Sequence, residues 1–220
     1  MKASEKRKHP EHKPPTIILL VRHATNDWVK TGKLAGRTPG VHLNERGIEQ
    51  ASALGARLAS RPLRAIYASP LERAQETAAA IAQHHDLPVL ESPDIGEVDF
   101  GDWAGRELKE LAKEPEWLLV QGRPSAVRFP NGESPWEMLT RAVTEVERLA
   151  IAHREESVVL VSHSDLIKAI CAHYLGLHLD LFQRIVISPA SISVLAFSSM
   201  GGRVVCLNDT AHNPPPPKDE

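Results

Sequence analysis

The run Thr16-Ile17-Ile18-Leu19-Leu20-Val21-Arg22-His23-Ala24-Thr25 decides how the chain is read. Five consecutive aliphatic residues between polar neighbours make a strand buried on both faces, as in a parallel sheet covered by helices on either side. The pattern returns at Ser157-Val158-Val159-Leu160-Val161 and, more briefly, at Ala65-Ile66-Tyr67-Ala68. Between these runs the period turns helical. Ile48, Ala51, Leu54, Gly55 and Leu58 share one face behind Asn44 as N-cap. Ser69-Pro70-Leu71-Glu72 reads as an N-cap, a proline at N1 and a capping-box acid. Ser134-Pro135-Trp136-Glu137 repeats that signal ahead of Leu139, Val143, Val146, Leu149 and Ala150. A further helix runs from about Leu166 to Tyr174, and Ser191–Phe197 and Val204–Leu207 read as late strands hinged near Gly201-Gly202. The alternation predicts a three-layer α/β/α fold with a mostly parallel central sheet, whose ligand sits beyond the carboxyl ends of the strands.

The whole chain bounds the reading. Its 220 residues, 42% of them hydrophobic, suffice for one domain with a substantial core. The folded body is expected over 16–210, between a basic tail (1–15) and a proline-rich tail (211–220), both expected to be disordered, with no linker inside. The first fifteen residues carry five Lys/Arg against two Glu, a net of +3, which leaves the body at −5. A body of that sign is a poor nucleic-acid binder. The longest aliphatic run, Ile17–Val21, is too short to span a bilayer. No secretory apolar stretch precedes Arg22, and Cys171 and Cys206 form no framework or CxxC pair, so a reduced cytoplasmic setting is expected. No HExxH or clustered Asp set supplies a metal site, and no cofactor is called for.

The rule for open α/β sheets singles out a few residues. Arg22-His23 ends the first strand, Arg73 lies in the first turn of the helix after Ala65–Ala68, and His163 ends the strand Val158–Val161. A lone strand-end histidine is most simply a hydrogen-bonded structural residue, and an arginine in a first turn opposes the helix dipole. An anion held at that helix start reconciles all four.

These residues fall within ordered motifs. Val21-Arg22-His23-Ala24-Thr25-Asn26 is followed by Leu43-Asn44-Glu45-Arg46-Gly47, Ala68-Ser69-Pro70-Leu71-Glu72-Arg73-Ala74, Ile95-Gly96-Glu97-Val98, Pro130-Asn131-Gly132-Glu133-Ser134 and Val159-Leu160-Val161-Ser162-His163. In this order the chain resembles the histidine phosphatase superfamily, the phosphoglycerate mutase-like proteins, over roughly residues 16–200. The resemblance implies their three-layer fold, with residues 98–133 as a small cap. It also implies a histidine-type acid phosphatase in which His23 becomes a phosphohistidine. Arg22, Arg73 and His163 then hold the phosphoryl oxygens, and Glu97 gives a proton to the leaving oxygen. The implied partner is a small phosphorylated metabolite.

Physical chemistry suits these roles. His23 must be neutral to attack phosphorus, and Arg22 and Arg73 disfavour its imidazolium. Fixed donors on the equatorial oxygens are worth about 3–4 kcal/mol each. Glu97 must be partly protonated near working pH, and Val98, Phe100 and Trp103 favour that by desolvation. The motifs also depart from the family pattern. Ala24 replaces a common glycine, and Asn26 stands where a hydroxyl residue helps bind phosphate, although its amide can donate. Val29 replaces a frequent asparagine. Ser164-Asp165 follows His163, which places Asp165 at the pocket rim or in a helix-capping role. Arg37 is a second rim candidate for an anionic substrate group, with surface charge as its plainer reading. A bisphosphoglycerate-dependent mutase stays open, as does a non-catalytic phospho-ligand binding module. The cap is short for a mutase, with Arg106, Arg123 and Arg128 as its arginines. The substrate and oligomeric state are not legible.

Overall fold

The protein is described by a computed structural model covering residues 13–213 and Pro215. The opening aliphatic run becomes β1 (Thr16–Arg22), which pairs in parallel with β4 (Ser157–Ser162), Leu19 opposite Val159, and antiparallel with β5 (Ile192–Ser198). β2 (Ala65–Ala68) joins the other side of β4, β3 (Val89–Glu91) extends it, and β6 (Gly201–Asp209) closes the far edge. The six strands lie in the order β3-β2-β4-β1-β5-β6, and β5 alone runs against the rest.

Alternation along the central strands builds two cores. Ile18, Leu20, Val158 and Leu160 pack under α6 (Pro135–Ala152) and α7 (Ser164–Tyr174). Leu19, Val21, Val159 and Val161 pack under α2 (Glu45–Leu58) and α3 (Glu72–Ala82). Strands covered on both faces have no use for polar residues, which is why these runs are unbroken. Between strands and helices lie α1 (Asp27–Thr31) and the short α4 (Leu108–Leu111) and α5 (Pro115–Gly122). The latter two fall within 98–133, over an aromatic cluster in which the Phe100 and Phe129 ring centres are 4.9 Å apart.

Caps follow the expected chemistry at two helices. The Asn44 side chain accepts from Gly47 N, and Ser134 and Glu137 form a complete capping box. The third expected cap is absent. α3 starts at Glu72 behind Leu71, with no side-chain cap: Ser69 Oγ accepts from Leu71 N, ahead of the helix, and from His163 Nε2, and the Glu72 carboxylate accepts from Gly40 N at 2.9 Å. Ile48, placed on the apolar face by spacing, is 60% exposed; Gly47, Ala51, Leu54 and Leu58 form that face without it. α7 begins two residues before the expected start, and α1 and β3 carry too few apolar residues to have been called.

The disorder expected of the two tails falls at residues 1–12, 214 and 216–220 outside the described residues. The ordered chain does not stop at 210, however. Asn213 donates from its backbone to Thr210 O and from Nδ2 to Pro189 O, and His212 Nε2 bonds Ala190 O. Loop carbonyls without ladder partners hold this segment down, a requirement invisible in its own composition.

Gly47 fixes how closely α2 approaches the turn after β1. A Cβ there would lie 2.0 Å from Thr25 O, a backbone atom that cannot swing aside. On an open helix Gly→Ala would stabilise by about 1 kcal/mol. At this position the clash dominates, and Gly47→Ala is expected to destabilise by about 1–3 kcal/mol in urea unfolding. A gain in stability would mean the turn yields freely.

Candidate active site

The carboxyl end of the sheet gathers side chains from four segments. β1 delivers Arg22 and His23; the loop after β2 and the first turn of α3 deliver Ser69 and Arg73; β4 delivers His163, the N-cap of α7. Glu97 comes from the irregular stretch after Ile95. His23, Arg73 and His163 are all buried.

Hydrogen bonds set the protonation of both rings. A carbonyl can only accept, so His23 Nδ1 carries its proton toward Ala24 O at 2.8 Å, and Nε2 is the unprotonated ring nitrogen. Arg73 Nε donates to that Nε2 at 3.3 Å. Arg73 Nη2 donates to Gly36 O at 2.8 Å and to His163 Nδ1 at 3.3 Å. His163 therefore holds its proton on Nε2, which donates to Ser69 Oγ at 2.8 Å. The two ring centres are 5.2 Å apart. Burial, then the cations Arg22 and Arg73, hold the His23 pKa well below the usual imidazole range. Burial and Arg73 do the same for His163.

Glu97 is perturbed in the opposite direction. Burial, reinforced by Asp165, pushes its carboxyl up to about 7 against the pull of Arg73 and Arg22. Its Oε2 lies 3.7 Å from His163 Nδ1, and its Oε1 accepts from Val98 N. Two buried guanidinium nitrogens, Arg22 Nε and Arg73 Nη1, have no hydrogen-bond partner among the described residues, while Arg22 Nη1 is fixed on Ile187 O at 2.7 Å. Unpaired buried donors are costly, and an anion satisfies both. The arrangement thus offers an unprotonated imidazole nitrogen, two cationic donors and a protonatable acid around a cleft of about 200 Å³. No group of three or more His, Cys, Asp or Glu among the described residues is placed to hold a metal ion.

The remaining expected residues divide. Asn26 is buried and lines the cleft; its Oδ1 caps α1 by accepting from Val29 N, so Nδ2 is its donor toward a ligand. Asp165 also lines the cleft, in the first turn of α7, and accepts from Lys168 Nζ at 3.1 Å; it does not cap the helix. Arg37 is not part of the cleft wall: it lies beside Gly36 and Glu97, with its Nε donating to Glu97 O and its Nη2 to Glu133 Oε1. Of the four tryptophans only Trp28 lines the cleft, with Lys33 Nζ 5.7 Å from its ring centre. Sequence reading missed Gly36, Ser69 and Thr77. Thr77 Oγ1 accepts from Ala24 N and donates to Arg73 O, tying the first motif to the second. The Ser69 signal was present but equally fitted a helix cap.

Fold and site together define a class. A family model of the histidine phosphatase superfamily (branch 1) matches residues 18–210, and the chain belongs to that superfamily. Phosphoserine phosphatase 1 of Hydrogenobacter thermophilus is 34% identical over 200 residues, covering 89% of this chain and 93% of its own. A metal-independent phosphoserine phosphatase of Arabidopsis thaliana is 36% identical over 161 residues, 70% of this chain and 67% of that one. A phosphoserine phosphatase mutant from Entamoeba histolytica, solved in complex with phosphoserine, superposes with a TM-score of 0.82 at 25% identity, covering 90% and 98% of the two chains.

The raised Glu97 pKa has a consequence for stability. Because the folded state binds this proton more tightly than an ordinary carboxyl does, stability falls as pH rises from about 4.5 through about 7. Glu97→Gln removes that penalty. The variant is expected to exceed the parent near pH 8 by on the order of 3 kcal/mol and to match it near pH 4 in denaturant titrations. Equal stability at both pH values would contradict the burial of this acid.

Proposed function

We propose that the protein is a phosphomonoester hydrolase acting through phospho-His23 on a small phosphorylated metabolite. The observation that carries this reading is the His23 Nε2 lone pair aligned by Arg73 beside two unsatisfied guanidinium donors. Arg22, Arg73, His163 and the Asn26 amide hold the phosphoryl oxygens. Nε2 attacks phosphorus, the P–O ester bond breaks, and protonated Glu97 gives its proton to the departing oxygen. The Glu97 carboxylate then takes a proton from water, whose oxygen attacks phosphorus. The N–P bond breaks, and inorganic phosphate leaves with His23 and protonated Glu97 restored. Arg73, at hydrogen-bond distance from both rings, stabilises charge on the equatorial oxygens in each transfer.

Hydrolysis is favoured over a mutase because none of Arg106, Arg123 and Arg128 lines the cleft. Arg106 pairs with Glu114 and Arg128 with Glu137, so neither is a spare cation to hold a phosphorylated intermediate away from water. The small cleft favours short substrates, and the named relatives make phosphoserine the first compound to try. No helix among the described residues is long and apolar enough to cross a membrane, and with two unpaired cysteines a cytoplasmic setting is proposed.

The test is phosphate release in EDTA from a panel of phosphoserine, both phosphoglycerates, sugar phosphates and p-nitrophenyl phosphate. Activity is expected to survive EDTA and to fall about 10³-fold or more in His23→Ala. Loss in EDTA, or retention in His23→Ala, would overturn the mechanism. The phosphate-releasing rate should also decline as pH rises through about 7, because ionised Glu97 has no proton to give. A rate that stays level across that range would remove Glu97 as the acid.

A further inference from the structure

Glu97 sits in a stretch with no strand or helix of its own, from Gly96 to Phe100. Its placement must come from elsewhere: Arg37 Nε donates to Glu97 O at 2.8 Å from the exposed side, and Arg141 with Glu133 makes the larger and more buried set of contacts. Arg141 of α6 donates from Nη1 to Asp94 O at 2.7 Å and Gly96 O at 2.9 Å, and from Nη2 to Glu97 O at 3.1 Å. The same guanidinium grips Glu133 as a fork, Nε to Oε2 at 2.9 Å and Nη2 to Oε1 at 2.7 Å. Glu133 Oε1 accepts in turn from Asp99 N at 2.9 Å, and Glu133 N donates to Asp99 O at 2.9 Å. The pair is largely buried, 17% and 13% exposed, so solvent does little to screen it.

We infer that Arg141 and Glu133 are positioning residues for the proton donor, a charged clasp that holds the backbone of residues 94–99 so that the Glu97 carboxyl faces the two histidines. The inference rests on the reading of Glu97 as the acid. It gives the Gly132-Glu133-Ser134 motif a task that its capping serine does not cover. Neither Arg141 nor Glu133 lines the cleft, so apart from the Arg141 charge acting on His163, which lysine retains, the pair reaches the reaction through the loop. Lysine in place of Arg141 keeps the charge but cannot bind three carbonyls and a carboxylate together.

The experiment uses the full chain and two substrates that differ in their need for a proton. Glycerol phosphate leaves as a strongly basic alkoxide, whereas p-nitrophenyl phosphate leaves as a stabilised phenolate. kcat/KM reports events through departure of that group. In Arg141→Lys, kcat/KM for glycerol phosphate is expected to fall on the order of 10²-fold, the scale of an ångström-sized misplacement. The value for p-nitrophenyl phosphate should fall far less, and competitive inhibition by inorganic phosphate should be unchanged. Glu97→Gln, run in parallel, should show the same discrimination. If Arg141→Lys does not fold cooperatively, Glu133→Gln carries the same comparison. Equal losses on both substrates, no loss, or weakened phosphate inhibition, alongside a discriminating Glu97→Gln, would overturn the positioning role alone. A Glu97→Gln variant that fails to discriminate would overturn the proton-donor reading beneath it.

Discussion

A guanidinium almost sealed from solvent organises this molecule. Arg73 is 1% exposed, yet its contacts reach the His23 ring, the His163 ring and the Gly36 carbonyl. Burying a cation is unfavourable unless its donors are matched. Here the matches are two neutral imidazole nitrogens and a peptide oxygen, none of which returns a full negative charge. Burial, and then the positive field left over, keeps both rings unprotonated, and that field suits an anion. The sheet order puts β2 beside β4 and β4 beside β1, so three successive strand ends bring Arg73 and the two rings together, and the Gly36 carbonyl joins them from the segment between α1 and α2.

The site separates its titrating groups by environment. Burial acts on both histidines and on Glu97, but it favours the neutral form in each case, lowering the imidazoles and raising the acid. A single low-dielectric pocket therefore leaves the imidazoles unprotonated and favours the protonated carboxyl at once, the pairing the proposed mechanism requires. Asp165 reinforces the second effect from the start of α7, and the cations reinforce the first.

Much of this was legible in the sequence, for definable reasons. The central strands were readable because double burial demands unbroken aliphatic runs, and α6 because Ser134 and Glu137 have the spacing of a capping box. Arg22, His23, Arg73 and His163 could be placed together because strand ends converge in such sheets. What failed was the choice between partners available to one side chain. Ser69 stands where a cap would, and only the fold shows its hydroxyl shared between Leu71 N and His163 Nε2. Arg37 follows a motif near the cleft, but the carbonyl of Glu97 and the carboxylate of Glu133 draw it away. The anchoring of His212 and Asn213 depends on carbonyls at Ala190 and Pro189, more than twenty residues earlier. Spacing encodes local geometry; it does not rank distant acceptors.

The link from Ala24 N–H through Thr77 Oγ1 to Arg73 O joins residues about fifty positions apart in the chain. His163 is a further ninety residues from Arg73. Each contact closes a long loop whose entropy must be repaid by the core before the geometry exists. The shortest stretch of chain that contains both imidazoles and the guanidinium between them runs from 23 to 163, most of the domain. The reacting constellation is thus a property of the whole cooperative unit: it comes into being with the last long-range contact and vanishes with the first global opening.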